Sequence, residues 1–514
     1  GGEFLKRLEA LEPKLASGQG QEEFAALQKE ALLANPLIDF DKILLVQRSG
    51  SGAGLPANWQ GNSSLKKNGY DNEIAILSPL NDGQIKTVYK PENGNFVGDV
   101  DLHFDADRMI FSTIGKNGAW AVGEVKVDGT GYRQVSSDEH ADIDYYDPVY
   151  LPSGKIICDS TSGYQGVPCV SGSDYVANLH VMDANGKNVR RLCFEQDNDW
   201  YPVMMDNGRV MFLRWEYTDS AHYFSRVLMH MNPDGTDQKA FYGSNSYWPN
   251  SLFYARPIPG SNTKFIGIVT GHHGVRRMGE LVLFDAGQGR FEADGAVQRI
   301  PGYGKKVEAI TKDQLVDGSW PKFLHPYPLS EKYHLVSMLP AGNGRWGVYL
   351  VDVFDNLVLL KDVQGYSLYE PVPLRKTPKP FIVADKVDPK LKDAFMYMTD
   401  IHAGPGLKDV PRGKVKALRV YKYEYSLRNT GGHYDLGMEG PWDAHIILGT
   451  VPLEADGSVM FRIPANTPLA FQPIDDEGKA LQLMRSWTVG MPGEVVSCVG
   501  CHEDQNITTP NYPS

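Results

Sequence analysis

A turn phrase recurs along this chain at a spacing near fifty residues, and this repeat limits the fold more than any other feature. Strand ends read VDGTG (127–131), MDANG (182–186), MNPDG (231–235), FDAGQG (284–289) and VDVFDN (351–356). A second phrase precedes each: HFDADRMIFS (103–112), YLPSGKIICD (150–159), MDNGRVMFL (205–213), PGSNTKFIGIV (259–269) and LSEKYHLVSM (329–338). Each unit therefore reads as strand, tight turn, strand, variable loop, strand, Asp-Gly-type turn, strand. That is the pattern of a four-stranded propeller blade. Asp-Gly and Asn-Gly pairs supply the positive-φ positions that such hairpins need. Five units are explicit, and strands around 43–49 and 74–89, joined with 369–385, would close the ring. The expected fold is mainly β, a six-bladed propeller with seven blades as the alternative.

The repeat also sorts the loops. Turns between first and second strands and between third and fourth strands are short (PSGK, DNGR, ANGK, PDGT) and leave on one face. Second-to-third and inter-blade loops leave on the other, and these are long: 50–72, 160–176, 214–225, 270–278 and 302–322. Elaborated loops on a rigid scaffold are where function concentrates, so that face is the expected site.

The flanks differ from the repeat. Residues 1–38 form an N-terminal helical segment, with Leu5, Leu8 and Leu11 at helical spacing and a break at Ser17-Gly18-Gln19-Gly20. The propeller is assigned to 39–385. Residues 386–514 alternate apolar and polar positions between Gly and Pro breaks, as in GTVPLEADGSVMFRIPANTPLAFQPI (449–474), and are expected to form a small β-sandwich. The formal net charge of −12 argues against nucleic acid or anionic lipid as partner. No apolar run approaches the ~20 residues of a membrane span. No signal peptide is visible and the sequence starts abruptly at Gly1, as expected of a mature or trimmed form.

Near the C-terminus stands Cys498-Val499-Gly500-Cys501-His502. Cys-x-x-Cys-His is the haem c attachment pattern: two thiols for the porphyrin vinyls and an imidazole placed to reach the iron. The other readings are a redox disulfide or half of a zinc site, but no second CxxC and no thioredoxin-like βαβ pattern accompany the motif. Haem c is attached outside the cytoplasm, so the motif points to a periplasmic or extracellular protein. Cys158, Cys169 and Cys193 remain, an odd number, so at least one is a free thiol or a ligand.

The run MRSWTVGMPGEVVSCVGCHE (484–503), with SNSYWPNSLFYARPIPG (244–260) and the 270–280 segment, resembles the hydrazine synthase α-subunit family. The resemblance implies a TolB-like propeller followed by a middle domain with an unusual haem c. In that family the motif histidine binds zinc, the iron takes a tyrosine, and propeller residues including a cysteine help hold the zinc. Carried over, Cys498 and Cys501 are the thioether anchors, His502 a zinc ligand and Cys169 the candidate propeller ligand. Asn506 stands about where the tyrosine is expected and Tyr512 is the nearest that follows, which leaves the axial ligand open. By the same resemblance, that family's C-terminal second-haem domain is not expected within these 514 residues. A complete synthase would need it and partner subunits, so a hetero-oligomer is implied.

Other candidates rim the same face. His272 and His273 beside Arg276 and Arg277 could bind an anion or a metal, or be solvated loop residues. Trp215, Glu216, Tyr217, His222 and Tyr223 form an aromatic and acidic cluster that suits a haem pocket, a sugar platform or inter-blade packing. Asp99, Asp101, His103 and Asp105 alternate along an expected innermost strand, where blade-to-blade hydrogen bonding is the favoured role. Two functions follow. One is an exported haem c protein, with zinc as a second cofactor, acting on a small nitrogen compound or passing electrons to a partner protein. The other is a glycan-binding or glycan-cleaving propeller using Glu216 and Asp219, with a structural metal or nothing at the CxxCH.

Overall fold

The computed structural model describes residues 1–50, 53–81, 83–217, 224–271, 276–430 and 444–500. Among them stand six four-stranded antiparallel sheets, one per blade. The innermost strands, in ring order, are Ser367–Pro373, Gly98–Leu102, Tyr145–Tyr150, Asp199–Met204, Ser251–Pro257 and Lys322–Pro328. In blade one, Ser367–Pro373 pairs with Ile43–Gly50, so the last repeat strand closes the first blade and the ring has six members. The closing strand is shorter than the expected 369–385: it ends at Pro373. Residues 374–392 instead run as a strap past the tight turns. Thr377 N donates to Phe104 O at 3.0 Å, Lys379 pairs with Asp105 at 3.3 Å, and Lys386 N donates to Asp234 Oδ2 at 2.7 Å.

Every innermost strand carries the same irregularity. Its pairing with the next strand shifts register, and one non-glycine residue there has positive φ: Glu370, Asp99, Asp147, Tyr201, Tyr254 and His325. Four of the six precede proline (Pro371, Pro148, Pro202, Pro326). Proline suits a bulge because it has no N–H to leave unpaired. Left-handed backbone costs an L-residue about 1–2 kcal/mol, so the six positions are held by what their side chains do at the axis. Glu370 accepts from Asp99 N at 3.1 Å and Val100 N at 2.7 Å in the next blade. Asp147 accepts from Tyr201 N. Tyr254 stands edge-on to Tyr201 on one side and to His325 on the other. Blade-to-blade bonding is thus the role of Asp101, whose Oδ2 accepts from Tyr150 N at 2.9 Å, and of the Asp99 backbone N–H, while His103 and Asp105 fall in the turn after the strand.

Phe253, Phe265, Phe284 and Trp200 fill the space between blades. Helices Gly2–Ala16 and Gln21–Leu33 form a hairpin tied by Arg7 to Glu30. The first helix buries no side chain. The second lays Leu32 and Leu33 on the core shared by blades one and six. After the strap come two three-stranded sheets. One is Asp393–Met398, Val459–Pro464 and Val495–Cys498; the other is Ala417–Glu424, Ala444–Pro452 and Leu469–Ile474. Met396, Ile463, Val420 and Phe471 meet in one core between them, as a sandwich requires. No helix is long and apolar enough to cross a membrane among the described residues.

Candidate functional site

The long loops do gather on one face, and the middle domain reaches it. The loop after Ile156–Ser160 is clamped by residues 426–430: Gly166 N donates to Ser426 O at 3.2 Å, Arg428 N to Tyr164 O at 2.9 Å and Asn429 N to Gly172 O at 3.0 Å. Gly172 has φ +71°, and a Cβ there would lie 2.6 Å from Asn429 N, so glycine is what permits the approach. The Arg428 guanidinium covers Tyr164 and Tyr175 and donates to Asp142 O and Thr161 O, both at 2.7 Å. Cys169 belongs to this clamped loop, in the short turn Pro168–Val170.

A second junction forms where blade three meets blade four. The Trp487 indole donates to Glu195 Oε2. Arg214 lies 5.2 Å from the same indole ring centre, with Nη1 3.5 Å from Glu195 Oε1, and its Nη2 pairs with Glu216. Ser486 Oγ donates to Glu216 Oε1 at 2.9 Å. Burial pulls the Arg214 pKa down, but Glu195 and Glu216 outweigh it and hold it above its ordinary value. Glu216 is therefore buried and engaged between Arg214 and Ser486, and does not stand open to a sugar. Trp215 stacks on Trp200 inside the propeller, which is the packing role. At the opposite end of the same junction Glu494 Oε1 accepts from Asp237 N at 2.7 Å. The middle domain thus grips both ends of the blade-three to blade-four seam.

The loop after Ile43–Gly50 folds across the mouth of the ring. Asn62 Nδ2 donates to Asp99 Oδ2 at 2.6 Å, Trp200 Nε1 to Gln60 O at 3.1 Å, and Asn58 Nδ2 to Gly271 O at 2.6 Å. Arg276 Nη1 holds Leu55 O at 3.0 Å, and Arg277 donates to Gln60 O while lying over Trp200 and Phe253. Both arginines therefore hold this loop rather than standing free for an anion. Below it lies a narrow axial cavity of about 30 Å³, lined by Asp99, Asp147, Tyr201, Arg256, His325 and Glu370. Burial, then the charge of Asp99, lifts Glu370 to about 7, and the same two causes raise Asp147. Burial, then Arg48 and Arg256, holds His325 well below its ordinary value. A larger cavity of about 290 Å³ lies between blades six and one, with Arg48, Trp346 and Tyr369 on its wall. Arg48 already donates to Ala53 O and Val97 O there.

Cys498 ends the strand Val495–Cys498, parallel to Asp393–Met398 and opposite Met398. The next residues lie on the turn that follows: Asp400 N donates to Val499 O at 2.9 Å. A Cβ on Gly500 would lie 2.5 Å from Asp400 O and 2.4 Å from Ala403 O. Cys501, His502, Asn506 and Tyr512 fall outside the described residues, as do His272, His273, Asp219, His222 and Tyr223. Cys158 lies in the strand Ile156–Ser160 and Cys193 lies in no strand: it follows Arg190–Arg191 on the inter-blade connection. The missed signal is the chain Cys193-Phe194-Glu195-Gln196-Asp197-Asn198-Asp199, whose polar residues look like a solvated loop but are buried. The axial residues were legible as the pattern aromatic–X–Pro in Tyr146-Asp147-Pro148, Trp200-Tyr201-Pro202 and Tyr369-Glu370-Pro371.

Residues 413–503 match the family model for the hydrazine synthase alpha subunit middle domain. Hydrazine synthase of Kuenenia stuttgartiensis shares the fold, with TM-score 0.71 and 16% identity over 92% of this chain and 71% of that one. TolB from Acinetobacter baumannii aligns at 10% identity over 64% of this chain and 66% of its own, with TM-score 0.41. An oligogalacturonate lyase in complex with manganese aligns at 12% identity over 62% and 81%, with TM-score 0.35. Among curated proteins nothing matches. A six-bladed ring thus stands in front of a segment that matches the hydrazine synthase alpha subunit middle domain, in a chain whose fold is similar to that of hydrazine synthase.

Proposed function

We propose that this chain is an exported c-type haem protein, with Cys498 and Cys501 as the covalent anchors. One observation carries the reading: the segment that matches the middle-domain model, 413–503, runs through Cys498-Val499-Gly500-Cys501-His502. The donor set, two thiols and an imidazole within five residues, is the set that haem c attachment uses. The described part of the motif suits it, because Cys498 stands half-buried at a strand end and Gly500 makes a close pass that other residues would block.

When bound, the haem would supply one-electron chemistry and a coordination position for a small nitrogen compound or a route to a redox partner protein. His502 and Cys169 are proposed as zinc ligands, and Tyr512 as the iron's protein ligand. The chain's own residues would confine the site. The Arg428 clamp fixes the loop that bears Cys169 against the middle domain, and the Trp487–Glu195–Arg214 cluster holds that domain to the ring. A rigid wall of this kind orients a bound molecule and limits water around it. Assembly with partner subunits, in the periplasm or outside the cell, belongs to the same proposal.

The test is intact mass and a visible spectrum of the chain made with haem c maturation machinery. A mass gain of one haem with a Soret band is expected, and both are lost in Cys498→Ala/Cys501→Ala. An unmodified mass without a Soret band sinks the reading.

A further inference from the structure

Three buried donors converge where blade three hands over to blade four. Cys193, Glu195 and Asp199 are each fully buried on that connection. One donor atom from each, the thiol Sγ and two carboxylate oxygens, lies within 4.8 Å of the other two. Asp199 Oδ1 is buried and accepts no hydrogen bond, while Asn178 Nδ2 donates to Oδ2 at 3.0 Å. Glu195 Oε1 also accepts none and faces Arg214 Nη1 at 3.5 Å. A further soft atom, Met231 Sδ, stands 3.9 Å from Cys193 Sγ. Buried carboxylate oxygens are almost always satisfied, and an orphan marks a missing proton, water or ion.

We propose that Cys193, Glu195 and Asp199 bind one zinc ion, a structural site distinct from the Cys498–His502 motif and independent of haem attachment. One sulfur with two carboxylates is a borderline-soft donor set, which suits zinc and not magnesium or calcium. Zn–S of about 2.3 Å and Zn–O of about 2.0–2.2 Å place tetrahedral ligands about 3.5 Å apart, so the donors need to close by about 1 Å. Charge favours the ion as well. The thiolate, Glu195, Asp199 and Glu216 outnumber the two guanidiniums they face, Arg191 and Arg214, so a dication lowers the excess of negative charge. Glu195 Oε2 also accepts from the Trp487 indole, so the ion would brace the seam on which the middle domain rests.

The test uses the full chain carrying Cys169→Ser, Cys498→Ala, Cys501→Ala and His502→Ala, which removes the other proposed metal ligands. Purified from zinc-containing medium, it should hold about one zinc per chain by mass spectrometry. Adding Cys193→Ser, or separately Asp199→Asn, should lower this to below about 0.1. Grown with cobalt, the parent should show a thiolate-to-cobalt absorption band, which keeps the test decisive if either variant fails to fold. A folded parent without zinc and without that band overturns the site, as does zinc content unchanged by Cys193→Ser.

Discussion

The Trp487 indole N–H donates to the Glu195 carboxylate inside the seam between middle domain and propeller, where both residues are buried. The same carboxylate faces Arg214, which packs against the indole face, so one cluster joins a residue of the motif-bearing domain to two residues of the ring. Replacing Trp487 with Phe keeps most of the packing and deletes the donor. A buried carboxylate oxygen left without its partner costs about 1–3 kcal/mol. Urea unfolding of the Trp487→Phe chain should show a lower midpoint, corresponding to a loss of stability of about that size. An unmoved midpoint would mean the indole contact adds no stability.

Glu370 couples the closing strand to blade two and has its pKa raised from an ordinary 4.5 to about 7, by burial first and Asp99 second. Between these values the folded chain holds a proton that the unfolded chain has lost. Stability from this group is therefore complete below about 4.5 and declines as pH rises through about 7, by at most on the order of 3 kcal/mol. Glu370→Gln should flatten that part of the profile relative to the parent. Chemical unfolding of both chains from pH 4.5 to 8 measures it, and parallel profiles would refute the assignment.

Arg276 and Arg277 are neighbours in sequence with unequal surroundings. Arg276 is exposed and holds Leu55 O, whereas Arg277 is buried over Trp200 and Phe253 and holds Gln60 O. Arg277→Ala should destabilise by about 3–5 kcal/mol, since it strips the buried acids near it of their cation. Arg276→Ala should cost about 0.5–1.5 kcal/mol. Equal losses by thermal unfolding would contradict the burial difference.

Gly500→Ala sets a methyl against Asp400 O and Ala403 O at under 3 Å. The turn must open, at a cost of about 1–3 kcal/mol. Thermal unfolding of the Gly500→Ala chain should show a depressed transition. The turn on which Gly500 and Cys498 meet residues 399–403 should also become more open to proteases, and an unchanged digestion pattern would show the contact to be slack.

The blades were legible because their signals are local. A hairpin turn needs its Asp-Gly or Asn-Gly pair whatever the rest of the chain does, so PSGK, DNGR and PDGT marked strand pairs before any contact was known. The loop carrying Cys169 could likewise be placed on the elaborated face from blade order alone. The seam could not be read in this way. Glu195 and Trp487 are separated by 292 positions, and nothing near either one names the other. Arg428 and Thr161 meet across 267 positions for the same reason. Cys193 follows Val189-Arg190-Arg191-Leu192 with no turn residue between, yet the outer strand of blade three stops at Arg191. The ring of left-handed residues had a local trace in its prolines, but its purpose appears when six blades bring Glu370 beside Asp99 and Tyr254 beside His325.

By itself the sequence determined the blade repeat, the number of short turns on one face and the presence of the Cys498–His502 motif, since each follows from residue type and spacing within a few positions. The tertiary structure decided the rest: that the closing strand ends at Pro373, that the strap beyond it crosses the tight-turn face, and that the acids of 195–199 are buried beneath the middle domain. Those depend on closing a ring and docking a second domain, and the energy of such long-range contacts comes from desolvation and packing between segments that no local pattern links.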